Sequence, residues 1–317
     1  MGFYNKIFII IVLAICLYAA FLIFSDFSTI KDKLENFRLT YLPFILIIVP
    51  CSWIALFVRW HLLLRNVGIH IPIKHSAKIY FAGFALAITP GKFGELIKSQ
   101  LIKKRFDVPR TSTVPLVFAE RLYDLVGAVA VSFVGILALG LGAYIIIGAA
   151  ILLIFIFVLL RIRKLFEMFL KIFEKNRFTS KFVIQLSESY DAINGSTRGK
   201  ILVSSSLLTI VYWSIEAIAV YLVVLSFGID KLSYLNVLAT YTSSLILGAV
   251  SFIPGGIGVA DGSMVGLFNY QGVDLPNAFV LVVLIRFFTI WYSVIVGFVA
   301  LKLSNGFSLF SDSKQQT

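Results

Sequence analysis

Charged residues are scarce in this sequence. Asp, Glu, Lys and Arg make up 14% of the 317 residues, while hydrophobic residues make up 59%. An average soluble domain has about 25% charged residues, so the composition predicts an integral membrane protein. Uncharged runs at 7–24, 41–58, 141–160 and 232–253 support this, because each is close to or above the roughly 18 residues of a candidate membrane span.

Cysteine and histidine are also scarce. Cys16 and Cys51 lie in apolar runs, where they behave as small hydrophobic residues and not as a disulfide framework. His61, His70 and His75 fall in one short stretch, which argues against a histidine-based metal site or acid–base pair. There is no phosphate-binding G-x-x-x-x-G-K-[ST] loop, which argues against ATP-driven transport by this chain alone. We therefore predict no cofactor, no metal ion and no catalytic residue.

Acidic residues are fewer than basic ones, 16 Asp and Glu against 28 Lys and Arg, which gives a net charge of +12. A nucleic-acid partner is not predicted, because no stretch combines clustered basic residues with stacking aromatic residues on a soluble module. Membrane lipids, anionic ones in particular, are the expected partners. A homo-oligomer or a separate lipid-modifying enzyme stays open as a further partner.

The basic residues orient the chain, because Lys and Arg accumulate in cytoplasmic loops. With the N-terminus inside, six full spans follow, at 7–24, 41–58, 114–139, 141–160, 201–227 and 276–301. Cytoplasmic segments, which include Arg59 and Lys98, then hold 21 of the 28 basic residues, and outside loops hold four. This predicts an all-α, multi-pass protein of the cell membrane with both termini in the cytoplasm.

Two short proline-glycine sequences interrupt this pattern. The first is PGKFG at 90–94, and the second is PGGIG at 254–258. The 11 residues Ile79–Thr89 would span only about 16 Å, roughly half of a hydrocarbon core. We expect each sequence to be the tip of a re-entrant hairpin. A full span at 232–253 is the alternative for the second one, but the charge bias opposes it.

Three full spans separate the two hairpins, so the chain enters the second hairpin from the opposite side of the membrane. The two hairpins therefore have opposite orientations. We therefore predict inverted repeats at about 41–139 and 201–301 within a single domain, 1–317. Arg121 follows Pro90 by 31 residues and Arg286 follows Pro254 by 32, which supports the repeat. Such repeats with broken helices are a recurrent transporter plan. A kink or packing hairpin without a ligand is the alternative.

Eight charged residues are expected at membrane depth, where each costs about 2.5 to 3.5 kcal/mol unless it is paired or faces a cavity. Glu120 and Asp124 lie four residues apart on one helix face, which predicts a cation or a third residue between them. Arg121 points elsewhere and should have a different partner. We expect Arg121 and Arg286 to bind a lipid phosphate, with structural ion pairing as the alternative. The predicted substrate-binding residues are Pro90, Gly91, Lys92, Gly94, Glu95, Glu120, Arg121, Asp124, Glu216, Pro254, Gly255, Gly256, Gly258, Asp261 and Arg286.

The connector at 161–200 is predicted to be cytoplasmic. Its part 161–181 has seven basic residues and helical apolar spacing, which is typical of an amphipathic helix on an anionic membrane surface. A solvated connector is the alternative.

Three motifs resemble the signature regions of the lysylphosphatidylglycerol synthase transmembrane family, also called flippase-like membrane proteins. They are TPGKFGELIKSQLI (89–102), FAERLYDL (118–125) and FIPGGIGVADG (252–262). The resemblance implies the region that translocates an aminoacylated lipid, without the soluble C-terminal aminoacyltransferase domain. Asp261 stands where the family usually has glutamate. On matching motifs the resemblance carries over Pro90, Gly94, Glu95, Glu120, Arg121, Asp124, Pro254, Gly255, Gly256 and Gly258.

The sequence thus predicts a translocase for an anionic phospholipid or lipid-linked headgroup. Two alternatives stay open. One is a membrane-embedded transferase that uses Glu120, Asp124 or Asp261 as a base. The other is an accessory subunit of a separate lipid-modifying enzyme.

Overall fold

All regular structure that the computed structural model describes is helical. The described residues are 37–139, 161–174, 190–251, 253–304 and 306, with scattered positions between 147 and 158. Three helical segments are long and apolar enough to cross a membrane, Leu39–Asn66, Gly199–Ser226 and Leu275–Leu303. The all-α, multi-pass class is therefore confirmed. The predicted span 7–24 and much of 141–160 lie outside the described residues, and the number six stays a prediction.

The helices fall into two groups on either side of the connector. The first group is α1 (Leu42–Asn66), α2 (Ile73–Gly83), α3 (Ile97–Phe106) and α4 (Arg110–Leu139). The connector contains α5 (Arg163–Glu174) and α6 (Tyr190–Ser196). The second group is α7 (Gly199–Ser226), α8 (Tyr234–Val250), α9 (Val259–Tyr270), α10 (Leu275–Arg286) and α11 (Tyr292–Leu303).

Two irregular segments, the first break (residues 84–96) and the second break (residues 251 and 253–258), interrupt these groups. The first joins α2 to α3 through the 3₁₀ turns Phe84–Leu86 and Pro90–Leu96, and the second joins α8 to α9 through Pro254–Gly256. In both cases the two flanking helices pack against each other. Each proline-glycine sequence therefore turns the chain back between two helices, as a hairpin does.

Helices of the first group pack against helices of the second. Helix α1 packs against α7, α4 packs against α8, and α11 packs against α2. The two breaks also contact each other. The elements before and after each break therefore make corresponding contacts with the opposite group.

Local chemistry explains the first break. Pro90 has no backbone N–H and so cannot donate a helical hydrogen bond. The turn after it is closed by the Thr89 hydroxyl, which accepts a hydrogen bond from the Gly94 N–H at 2.7 Å. A Cβ atom on Gly94 would lie 2.4 Å from the Leu86 Cβ, so this tight turn requires glycine.

The second break requires glycine for a different reason. Gly255, Gly256 and Gly258 have φ angles of 62°, 67° and 85°. These are left-handed values that glycine adopts readily and other residues rarely adopt. A Cβ atom on Gly255 would lie 3.1 Å from the Ile88 side chain, which shows how closely the second break approaches the first.

Helix α11 covers the first break. A Cβ atom on Gly297 would lie 2.1 Å from the Ala85 backbone nitrogen and 2.5 Å from the Phe84 carbonyl carbon. Only a residue without a side chain permits this approach. The second group thus holds the first break by direct backbone contact.

Helix α1 extends past residue 58, the predicted end of the second span. It continues to Asn66 because Trp60, Leu63 and Leu64 extend its buried face. Arg59 therefore lies inside a helix and is fully buried.

Part of the amphipathic connector packs against protein. Phe166 and Leu170 of α5 are buried with Tyr190 and Ile193 of α6. Met168 remains 59% exposed. The predicted contact with an anionic membrane surface stays a prediction, and residues 175–189 lie outside the described residues.

Candidate functional site

Six charged side chains form a closed ring beside the first break, in which cations and anions alternate. We call it the ionic ring, and its members in order are Arg59, Asp124, Arg121, Glu95, Lys98 and Glu120. Helix α1 contributes Arg59, the first break contributes Glu95, α3 contributes Lys98, and α4 contributes the other three.

The links of the ionic ring differ in length. The Lys98 Nζ lies 2.8 Å from a Glu95 oxygen and 2.6 Å from a Glu120 oxygen. The Arg121 guanidinium lies 3.1 Å from Glu95 and 2.9 Å from Asp124. Arg59 lies 2.8 Å from Asp124, and its contact with Glu120 is the longest link at 3.9 Å. Three positive and three negative charges make the ionic ring neutral.

Arg59 confirms the prediction of a cation between Glu120 and Asp124. The prediction that Arg121 has a different partner was half right, because Arg121 pairs with Glu95 and also with Asp124. Because each buried acid shares a cation with a neighbouring acid, the cost of burying these charges away from water is reduced.

Sequence reasoning missed Arg59 and Lys98 as members of the site, since it assigned both to cytoplasmic segments. The Lys98 side chain is fully buried and its ammonium lies over the rings of Trp60 and Tyr80, at 4.7 and 5.1 Å from their centroids. A Cβ atom on Gly83 would lie 3.0 Å from the Lys98 stem, so the glycine makes room for the lysine. The available signal was the spacing of Lys98 three residues after Glu95.

Asp261 and Arg286 form a second buried ion pair, beside the second break. The other Asp261 oxygen accepts a hydrogen bond from the Gly258 N–H at 2.9 Å, at the start of α9. In both groups, therefore, the arginine pairs with the acid that follows its own proline-glycine sequence, Arg121 with Glu95 and Arg286 with Asp261. The shorter side chain of aspartate is long enough for this contact.

Lys92 and Glu216 are the two predicted charged residues without an ion pair in the part of the chain that the structure describes. Lys92 is exposed on the first break and has a φ of 55°, which is uncommon for a residue with a side chain. Its ammonium lies within electrostatic range of Glu95, Asp124 and Glu216. Glu216, in contrast, is buried on α7.

The proline and glycine positions of the predicted set all lie on the two breaks. Pro90, Gly91 and Gly94 belong to the 3₁₀ turn that carries Lys92 and Glu95. Pro254, Gly255, Gly256 and Gly258 form the second break, which contacts the first. The fold therefore gathers the fifteen predicted residues around the contact between the two breaks and the helices α4, α7, α9 and α10.

The arrangement suits an anion better than a metal ion. Within the described ranges, no three His, Cys, Asp or Glu side chains are grouped so that they could hold a metal. In contrast, the Arg121 side chain is about one-fifth exposed, although its Nε is buried and has no hydrogen-bond partner among the described residues. The partly exposed Arg121 guanidinium and the exposed Lys92 ammonium can each donate a hydrogen bond to a phosphate oxygen.

Fold and site together define a polytopic α-helical membrane protein whose broken helices meet around buried ion pairs. The chain belongs to the family of the lysylphosphatidylglycerol synthase TM region, whose family model matches residues 9–297.

Curated relatives from archaea share most of the chain. A UPF0104 membrane protein of Pyrococcus horikoshii is 26% identical over 284 residues, which cover 81% of this chain and 84% of that protein. One of Methanocaldococcus jannaschii is 25% identical over 226 residues, covering 68% and 91%. One of Methanothermobacter thermautotrophicus is 23% identical over 319 residues, covering 92% and 94%. Their names describe membrane proteins and state no activity.

Proposed function

We propose that this protein binds an anionic lipid at Lys92 and Arg121 and moves it across the cell membrane by alternating access around the two breaks. The observation that carries the proposal is an exposed lysine, without an ion pair among the described residues, and a partly exposed arginine that both lie near Glu95 and Asp124. Both termini face the cytoplasm in this proposal, as the distribution of basic residues indicates.

The charge balance of the ionic ring favours an anionic ligand. Because the ionic ring is neutral by itself, Lys92 adds one positive charge beside it. A lipid phosphate placed between Lys92 and Arg121 gains two charge-assisted contacts, and it meets Glu95 and Asp124 only where these are already engaged by cations.

The packing supports alternating access. The exchange of contacts between the two groups, α4 with α8 and α11 with α2, is what inverted repeats would produce. In such proteins two arrangements of the repeats, related by symmetry, open the site to opposite sides. The contact between the breaks is the pivot in this proposal.

The transferase alternative has less support. A general base must have a lone pair available for a proton on the substrate. Glu120, Asp124 and Asp261 are each held by a cation, Glu120 by Lys98, Asp124 by Arg59 and Asp261 by Arg286. We therefore favour binding and movement over group transfer.

Lipid movement in reconstituted vesicles tests the proposal. The probe is phosphatidylethanolamine with an NBD group on its amine, which makes the lipid anionic, in vesicles of phosphatidylcholine and phosphatidylglycerol. Dithionite quenches the label in the outer leaflet only. Vesicles with protein should lose nearly all fluorescence, and protein-free vesicles about half.

Variants locate the site. Lys92→Gln should slow the movement at least about tenfold, since a hydrogen bond to a charged group is worth about 1.5–3 kcal/mol. The double variant Arg121→Gln/Glu95→Gln keeps the ionic ring neutral and should also slow it. The control is Lys103→Gln, an exposed position on α3. Equal rates with and without protein, or an unaffected Lys92→Gln variant, would refute the proposal.

A further inference from the structure

Glu216 is a buried carboxyl group with no cation beside it among the described residues. It is 2% exposed, and the Tyr241 hydroxyl donates a hydrogen bond to one of its oxygens at 3.0 Å. The other acids of the central region, Glu95, Glu120, Asp124 and Asp261, are each held by a cation. A buried carboxylate without such a partner is costly, and a bound proton removes the cost.

Helix α7 places Glu216 next to the ionic ring. The Thr209 hydroxyl on α7 accepts a hydrogen bond from Arg59 at 2.6 Å, and the Trp213 indole one turn later donates to the Asp124 carbonyl at 3.0 Å. Glu216 follows Trp213 by three residues and so continues the same face of α7. Its carboxyl lies close enough to Lys92 for their charges to interact.

The surroundings of Glu216 contain one cation that is not already engaged. Arg59 of α1 pairs with Asp124 of α4, and Arg286 of α10 pairs with Asp261. Lys92 has no ion pair in the described part of the chain. Four titratable groups interact with Glu216: Tyr212 on its own helix, Lys92 on the first break, Tyr241 on α8 and Asp124 on α4. The other helices packed against α7 carry the charged residues Arg59 on α1 and Arg286 on α10.

We infer that Glu216 is a proton-binding site that controls whether Lys92 is available to an anion. While Glu216 holds its proton, the Lys92 ammonium faces the exposed side of the first break and can bind phosphate. When the O–H bond of Glu216 breaks, the proton goes to water, and the carboxylate draws the Lys92 ammonium into an ion pair. For lipid movement this inference rests on the proposed function. It predicts faster movement at acidic pH.

The proton itself can be observed without transport. Infrared difference spectra of the full-length protein in liposomes, recorded between near-neutral and alkaline buffer so that exposed carboxyl groups stay ionised, should contain the carbonyl stretch of a protonated carboxylic acid. The band should disappear in Glu216→Gln and persist in Glu167→Gln, an exposed position on α5. A band that survives in Glu216→Gln, or is missing from the wild type, overturns the inference.

The response of Lys92 is measured separately. Reductive methylation with ¹³C-formaldehyde labels lysines and keeps their charge, and the Lys92 signal is identified by its loss in Lys92→Arg. This signal should shift with pH together with the infrared band in the wild type and stay constant in Glu216→Gln. An equal shift in both proteins overturns the control of Lys92 by Glu216.

The lipid-movement assay then separates the two proposals. Wild-type movement should slow as the pH rises, whereas Glu216→Gln should keep the acidic rate at every pH and Glu216→Asp should restore the pH dependence. Equal pH profiles of the wild type and Glu216→Gln overturn the inference. Absence of movement in every protein, with both spectroscopic results as expected, refutes the proposed function and leaves the proton site standing.

Discussion

Replacing Lys98 with methionine should destabilise the folded protein by about 3–5 kcal/mol, the usual cost of removing one partner from a buried ion pair. Methionine has nearly the same length and flexibility, so it can follow the lysine stem across Gly83. The change therefore removes the charge and leaves the packing nearly intact.

The loss should fall mainly on Glu120. Without Lys98, Glu95 keeps Arg121 at 3.1 Å, but Glu120 keeps only its contact with Arg59 at 3.9 Å. The second change Glu120→Gln removes this stranded charge, and Arg59 still has Asp124 at 2.8 Å. The double variant Lys98→Met/Glu120→Gln should therefore recover at least about half of the lost stability, since such coupling energies reach about 0.5–3 kcal/mol.

Thermal unfolding in detergent, followed by tryptophan fluorescence, measures the effect. The midpoint of Lys98→Met should fall by roughly 10 °C, given about 2–4 °C per kcal/mol for chains of this order of size. Lys103→Met is the matched control, because Lys103 is exposed on the same helix, and its midpoint should not change. An unchanged midpoint for Lys98→Met, or a double variant less stable than the single one, would refute the reasoning about the ionic ring.

Two further predictions concern other parts of the chain. Gly297→Ala should lower the thermal midpoint or the yield of folded protein, because the added Cβ would lie 2.1 Å from the Ala85 nitrogen. Gly262→Ala is the control, because a Cβ there has no neighbour within 4 Å. Equal behaviour of the two variants would contradict the close contact. A synthetic peptide of residues 161–181 should bind vesicles containing phosphatidylglycerol in a co-sedimentation assay, with about 1 kcal/mol per basic residue near the surface. Equal binding to pure phosphatidylcholine vesicles would favour the solvated connector.

The two breaks could be predicted from the sequence because their causes are local. A proline without an N–H, followed at once by glycine, disfavours a continuous helix, whereas Pro50 without an adjacent glycine stays inside α1. The same holds for Glu120 and Asp124, whose spacing on one helix face was enough to predict a cation between them.

The identity of that cation could not be predicted, because it depends on contacts between helices distant in sequence. Arg59 follows directly after an uncharged run. At that position the positive-inside rule cannot distinguish an arginine in a loop from an arginine buried in a helix. Trp60 and the leucines after it were the local sign that helix α1 continues. The spacing of Lys98 from Glu95 was a similar signal in the sequence. Its contacts with the rings of Trp60 and Tyr80, however, form only when the protein folds.

The backbone contact between Gly297 and residues 84–85 has a consequence for biosynthesis. Helix α11 is the last described helix to leave the ribosome, and the first break is made much earlier. Until α11 is made, the backbone of residues 84–85 lacks this contact. The first break should therefore stay sensitive to quality-control proteases until synthesis has passed α11, and a ribosome-stalled chain that stops before Gly297 should expose it.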